Sequence, residues 1–226
     1  MAEPTPQPAA RLPATITQTI YNYFKNAIIE GQLKPGERLQ VKDAAALFGA
    51  SATPVREAFQ RLASEDFIVI NARKDVSVAK ISMEEIQGLF EIVRVLDALA
   101  SKKAVLKLSE KEVKELRRMT DRMSKYFRQK KISEYIKENL RIHRALWKHC
   151  DNQILARFLV NLGDKYAFYG HYLFTPDGQG GGDSAYFVTS HQDHLELMEA
   201  VEKRDPRRVE KILLSHWGHR YPEERR

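Results

Sequence analysis

The sequence is 226 residues long and 43% hydrophobic, which is enough apolar material for one large packed core or two modest ones. Its longest apolar stretches fall short of the roughly 18 to 20 residues that a membrane helix needs, and residues 1–13 lack the apolar core of a signal peptide. The single cysteine excludes an internal disulfide. We therefore expect a folded cytoplasmic protein with no membrane partner.

The formal net charge is +7, which suits an anionic partner without identifying one. The first 80 residues carry 10 lysines and arginines against 8 aspartates and glutamates, so most of the excess lies in the C-terminal part. A prediction of DNA binding must therefore rest on motifs rather than on charge.

The N-terminal third has the pattern of a winged helix-turn-helix over residues 14–80, preceded by a proline-rich stretch, 1–13, that we expect to be a disordered arm. Apolar spacing and helix-ending glycines predict three helices, over residues 16–28, 41–48 and 51–65. The last two, joined by a tight turn at Gly49, form a helix-turn-helix. Two β-rich segments then flank a polar turn and predict a hairpin wing, over residues 67–71 and 76–79.

The chain changes character at Ser82, after which amphipathic helices follow one another with short connections. We place them near residues 82–107, 109–129, 132–149, 152–173, 184–203 and 206–220. The pattern predicts an antiparallel all-α bundle over residues 81–226. The fold class is therefore mainly α, with a small α/β winged helix at the N-terminus.

The third predicted helix has an apolar face and a polar face. The side chains expected to point outward are Thr53, Arg56, Glu57, Gln60 and Arg61. A recognition helix reads bases from its N-terminal turns, which makes Arg56 a candidate reader. The alternative is that Arg56 and Arg61 pair with nearby carboxylates on a solvated face, and amphipathicity alone leaves both interpretations open.

Two strings resemble the DNA-binding domain of the GntR family: residues 28–39 (IIEGQLKPGERL) and residues 51–62 (SATPVREAFQRL). The resemblance implies that side chains of the helix-turn-helix approach phosphates and bases, and that a wing tip enters the minor groove. Asp75 stands where the family often has glycine. The residues that we expect to contact DNA are Arg38, Lys42, Ser51, Thr53, Arg56, Arg73 and Lys74.

Three histidines lie on apolar faces of three different predicted helices: His143, His194 and His216. Neutral histidine is the commonest metal ligand, and a bundle core can bring such side chains together. The alternative is three unrelated core histidines, each satisfied by its own hydrogen bond.

The C-terminal half resembles the FCD effector domain of the FadR subfamily, in its VanR-like branch. The strings that carry the resemblance are 91–97 (EIVRVLD), 139–143 (NLRIH) and the segment from Asp193 to His216. It implies a divalent metal, most suitably zinc or nickel, held by Asn139, His143, His194 and His216. Asn139 replaces an acidic ligand, and an effector carboxylate could fill the open positions.

Two further side chains have open roles near this site. Arg94 is either a second anchor for an effector or half of a surface ion pair. His191 is an alternate ligand, a side chain behind the ligands or one that faces solvent.

We expect a homodimeric transcription repressor that binds a palindromic operator and senses a small organic acid at the metal. The alternative is a metal-dependent hydrolase with an attached DNA-binding module. That alternative lacks a convincing general base and an HExxH motif.

Overall fold

The computed structural model describes residues 14–72, 75–174 and 184–217. The expected arm over residues 1–13 lies outside the described residues, and so do two of the expected DNA contacts, Arg73 and Lys74. No helix in the described part of the chain is long and apolar enough to cross a membrane.

The chain forms two compact units. One is made by the described residues up to Ile28 together with Leu33–Ala79, and the other by Ile29–Gln32 with the described residues from Lys80 onward. The first unit contains the helix-turn-helix and the small sheet, whereas the second contains the helical bundle.

The first unit is a winged helix-turn-helix, as predicted. Its elements are α1 (Ile16–Ile29), β1 (Arg38–Leu39), α2 (Val41–Phe48), α3 (Ala52–Ser64), β2 (Ile68–Ile70) and β3 (Val76–Val78). The strands pair antiparallel in the order β1-β3-β2. The sequence pattern predicted the hairpin of β2 and β3 but not β1, because two residues are too few to show the alternation of a strand.

The core of this unit orients α3. Gly49 ends α2 in the left-handed conformation, with φ of 58°, which sets the tight turn before α3. The apolar face of α3 is buried, and the Phe59 ring meets Phe24 edge-to-face at 5.0 Å between centroids. This packing fixes the opposite face of α3 toward solvent.

The second unit is helical throughout its described residues. Its helices are α4 (Met83–Ala104), α5 (Glu110–Arg128), α6 (Ile132–Trp147), α7 (Gln153–Phe174), α8 (Ser184–Glu202) and α9 (Pro206–His216). Each of the six predicted helices is present. Reciprocal capping boxes, Ser82 with Glu85 and Ser109 with Glu112, start α4 and α5.

Helix α6 lies at the centre of the bundle and contacts α4, α5 and α7. Its approach to α7 requires Gly163, since a Cβ there would come within 2.7 Å of the Leu140 side chain. Two polar side chains on α6, Asn139 and His143, are completely buried. A central helix with buried polar groups must find partners for them, and these partners define the candidate site.

Candidate functional site

The outward face of α3 separates the two arginines that the sequence could not distinguish. The Arg61 guanidinium lies 3.9 Å from the centre of the Tyr21 ring, and its Nη1 donates to Gln18 Oε1 at 2.7 Å. The Arg61 Nε also lies 3.7 Å from Glu65. The contacts of Arg61 therefore hold α3 against α1, and its guanidinium is already occupied.

Arg56, by contrast, is exposed and makes no hydrogen bond or ion pair with the described residues. The same holds for the side chains of Arg38, Lys42, Ser51 and Thr53. Ser51 stands at the N-cap of α3 without a side-chain capping bond, so its hydroxyl is available to another partner. Five of the residues expected to contact DNA are described, and each has a surface polar group without a hydrogen bond to another described residue.

The three predicted histidines converge in the second unit. His143 from α6, His194 from α8 and His216 at the end of α9 are all buried, and one ring nitrogen of each lies within 4.8 Å of the others. The Nε2 atoms of His143 and His194 are 3.1 Å apart. Three imidazoles at such separations could serve as ligands of a single ion.

The other ring nitrogen of each histidine faces an acceptor. His194 Nδ1 lies 2.7 Å from the carbonyl oxygen of Ser190, and His216 Nδ1 lies 3.1 Å from Asp193 Oδ2. A proton on Nδ1 leaves Nε2 with its lone pair free. Metal-binding histidines are held in this way, with Nδ1–H bonded to a carboxylate or a backbone carbonyl.

His143 has the same arrangement with a different acceptor. Its Nδ1 lies 2.8 Å from Asp97 Oδ2, in a short contact that departs from ideal hydrogen-bond alignment. Asp97 is on α4 and fully buried, and its carboxylate also accepts hydrogen bonds from Ser101, Trp147 and Trp217.

The attractive contacts of Asp97 decide its ionisation. Burial would raise the pKa of its carboxyl, but attraction to His143 and hydrogen bonds from His143 and the two indoles outweigh burial and lower the pKa below its ordinary value. The groups that face the Asp97 carboxyl are donors, which favours its charged form.

The structure places Asn139 one helical turn before His143 on α6. Its Nδ2 donates to Tyr166 Oη at 3.2 Å, which leaves Oδ1 as its acceptor. That Oδ1 is buried and has no hydrogen-bond partner. A buried amide oxygen without a partner is costly, and a cation is one way to satisfy it.

Two other predicted neighbours lie outside the histidine cluster. His191 does not face solvent, because its ring is buried and stacks on Phe127 at 4.1 Å between centroids. Arg94 is half-buried and makes no ion pair with the described residues, and its Nε is buried without a hydrogen-bond partner. Among the described residues, Arg94 therefore has no ion-pair partner.

Sequence reasoning missed the groups that orient the imidazoles, which are Asp97, Asp193 and Trp217. Asp97 closes the string 91–97, and the other two are direct neighbours of His194 and His216. These positions in or beside the recognised motifs could have marked the three residues as candidates, but the partner of each is known only from the tertiary structure.

Comparisons with known proteins agree with both units. The profile described as "FCD domain" matches residues 88–219, more than half of the chain, and that of "Bacterial regulatory proteins, gntR family" matches residues 16–78. The chain is a GntR-family regulator with an FCD domain.

Relatives of this regulator are transcription factors. It is 24% identical over 200 residues to the uncharacterized HTH-type transcriptional regulator YdhC of Bacillus subtilis, covering 88% of this chain and 86% of YdhC. It is 23% identical over 206 residues to the HTH-type transcriptional repressor RspR of Escherichia coli, covering 89% and 85%. These families and relatives are regulators rather than enzymes, which removes the support for the hydrolase alternative.

A solved structure shares the fold of this GntR-family regulator. Escherichia coli McbR/YncC superposes with a TM-score of 0.76 at 22% identity, and the match covers 91% of this chain and 94% of that one. The agreement extends over nearly all of both chains.

The buried imidazoles make the stability of the metal-free regulator depend on pH. Burial, followed by repulsion from the other imidazoles, lowers the pKa of His194 well below 6.5, and burial likewise lowers the pKa of His216. Below pH 6.5, therefore, His194 and His216 bind protons in the unfolded chain but remain largely unprotonated in the folded chain. The free energy of unfolding should fall with decreasing pH, by at most about 1.4 kcal/mol per pH unit for each such proton.

Urea unfolding of chelator-treated protein at pH 6.5, 6.0 and 5.5 measures this slope. His194→Gln should flatten it, whereas His149→Gln, whose half-buried ring lies outside the cluster beside Glu112, should leave it unchanged. Stability that is constant or rises over this range would contradict the expectation.

Proposed function

We propose that this regulator is a homodimeric repressor that binds a palindromic operator and responds to a small carboxylate effector at a metal held by its FCD domain. The convergence of His143, His194 and His216 in the bundle core is the observation that carries the proposal. Relatives named as repressors, RspR and GlaR of Escherichia coli, support the direction of regulation.

The donor set fits a divalent cation. Three neutral imidazoles suit a borderline metal such as zinc or nickel, and the buried Asn139 Oδ1 can serve as a weaker fourth ligand. None of these four groups is a carboxylate, so the ligands themselves bring no negative charge to the ion. Such an ion attracts an anionic effector to its remaining coordination positions.

Arg94 is the second group that we assign to effector binding. Arg94 lies on the same face of α4 as Phe90, whose ring packs on Trp217 at 5.4 Å, and as Asp97. Its guanidinium, which has no ion-pair partner among the described residues, is thus a second anchor for a carboxylate. The cavity beside His194 is about 10 Å³, which is room for about one water molecule, so side chains around the cluster would have to move to admit an effector.

Removing one imidazole tests the metal site. His143→Ala should lose most of the bound zinc or nickel, and it should lose the thermal stabilisation that the metal gives. At a free metal concentration 100 times the Kd, that stabilisation is about 2.7 kcal/mol. Elemental analysis and melting scans before and after chelator measure both effects.

His149→Ala is the matched control and should keep both the metal and its stabilising effect, because His149 contacts Glu112 rather than the cluster. The metal site is refuted if wild-type protein with emptied sites is stabilised by none of zinc, nickel or manganese.

Arg56 and Arg61 form a matched pair for testing the DNA interface. Arg56→Ala should weaken operator binding by about 1 to 3 kcal/mol without lowering stability, because its free guanidinium would read a base edge. Arg61→Ala should lower the stability of the winged helix, because it removes the contacts with Tyr21 and Gln18.

Titrations on operator and scrambled DNA, together with melting scans, separate the two roles. An equal loss on both DNAs would reassign Arg56 to phosphate contact, and no loss would exclude it from the interface.

The homodimer has a candidate interface on the bundle. Ile92, Val95 and Leu99 follow i, i+3, i+7 spacing along α4 and are 42–52% exposed. Helix α7 packs against α4 and exposes Ile154 and Phe158. A second copy of the chain is the occupant that we propose, because paired half-sites require a two-fold protein.

A charge in this stripe should dissociate the dimer. Val95→Asp is expected to shift the sedimentation mass toward that of the 26.1 kDa chain, since pairing would bury an unpaired carboxylate. Val188→Asp, equally exposed on α8, should leave the mass of the dimer unchanged. A monomeric wild type would refute the dimer, and a dimeric Val95→Asp would move its interface elsewhere.

A further inference from the structure

The Asp97 carboxylate is buried without a permanent counter-charge. All of its partners among the described residues are uncharged donors or the imidazole of His143, and none is a lysine or an arginine. Burying an anion in this way is unfavourable unless a nearby cation compensates it. The nearest source of positive charge is the histidine cluster and whatever ion it holds.

A second buried carboxylate of the bundle shows the contrast. Glu138 is 1% exposed, and it pairs with Arg122 at 2.8 Å and with Arg141 at 3.1 Å. Its charge is therefore compensated within the protein. Asp97 has no such arginine, and its contact with His143 connects it directly to the cluster.

The position of Asp97 also bears on the orientation of two ligands. Its Oδ2 faces His143 Nδ1 and accepts a hydrogen bond from Trp217 Nε1 at 2.8 Å. Trp217 directly follows His216 in the sequence. Asp97 Oδ2 thus contacts the ring of His143 directly, and it restrains His216 indirectly through the neighbouring residue, Trp217.

We propose that Asp97 is a positioning residue of the metal site: it fixes His143 with Nε2 toward the other imidazoles, and it supplies from behind the ligands the negative charge that Asn139 does not supply among them. This inference rests on the proposed metal site. A carboxylate behind a ligating histidine makes the imidazole a stronger donor, and losing such a partner typically weakens metal binding about 10- to 100-fold.

The primary test is the zinc affinity of full-length Asp97→Asn, measured by competition with a chelating dye. The variant keeps the shape of the side chain and removes its charge, so its Kd should rise about 10- to 100-fold. Glu138→Gln is the matched control, because it neutralises a buried carboxylate with arginine partners and should change the Kd less than about threefold. Circular dichroism verifies that each variant keeps its helices.

A rescue variant separates charge from packing. Asn139→Asp in the Asp97→Asn background returns one negative charge to the site, and it should restore zinc affinity to within about fivefold of wild type. An Asp97→Asn variant that binds zinc like wild type, or a folded one that Asn139→Asp fails to rescue, would overturn the inference. Wild-type protein that binds no zinc would instead refute the metal site itself.

A measurement on wild type covers the case in which Asp97→Asn does not fold. Nitrogen NMR of ¹⁵N-histidine-labelled, zinc-loaded protein assigns the proton and the metal to the two ring nitrogens of His143. The inference requires the proton on Nδ1, facing Asp97, and zinc on Nε2. Zinc on Nδ1 would overturn it.

Discussion

The helical unit depends on one constraint, which is that three imidazoles and a carboxylate buried in an apolar bundle must satisfy one another's hydrogen-bonding groups. Each histidine places Nδ1 against an acceptor, which is Asp97 for His143, the Ser190 carbonyl for His194 and Asp193 for His216. With the protons on Nδ1, the Nε2 atoms carry lone pairs, and no side chain among the described residues other than the imidazoles themselves faces them within hydrogen-bond distance. Satisfying the outer atoms of the three rings therefore creates an inward-facing set of donors.

The same contacts tie the bundle together. Asp97 on α4 accepts a hydrogen bond from Trp147, at the end of α6, and from Trp217, just after α9. Occupancy of the histidine cluster thereby bears on α4, whose outer stripe is the proposed dimer interface. In the function proposed above, a ligand that favours one arrangement of these helices would shift the regulator between states of different operator affinity. The two tryptophans of the chain, Trp147 and Trp217, both donate hydrogen bonds to Asp97, so their fluorescence would report such a shift.

Much of this architecture could be predicted from the sequence, because amphipathic spacing and helix-ending glycines are local signals. The inward direction of His143 followed from its position among apolar residues on one helix face. The partner of Asp97 did not, since it lies 46 residues away in sequence and no period links the two. Likewise, Arg56 and Arg61 share one helix face in the sequence, and only the Tyr21 ring on another helix distinguishes them. Local periodicity predicts which side faces the core, whereas specific partners are set by long-range packing.

The central claim is that the converging imidazoles bind one metal ion through Nε2. X-ray absorption at the zinc edge of the stoichiometrically loaded full-length protein tests it most directly, because imidazole carbons give a distinct outer-shell scattering pattern. We expect three imidazole nitrogens at about 2.0–2.1 Å, with the remaining positions filled by oxygen. A zinc environment of oxygen atoms alone, without imidazole scattering, would contradict it.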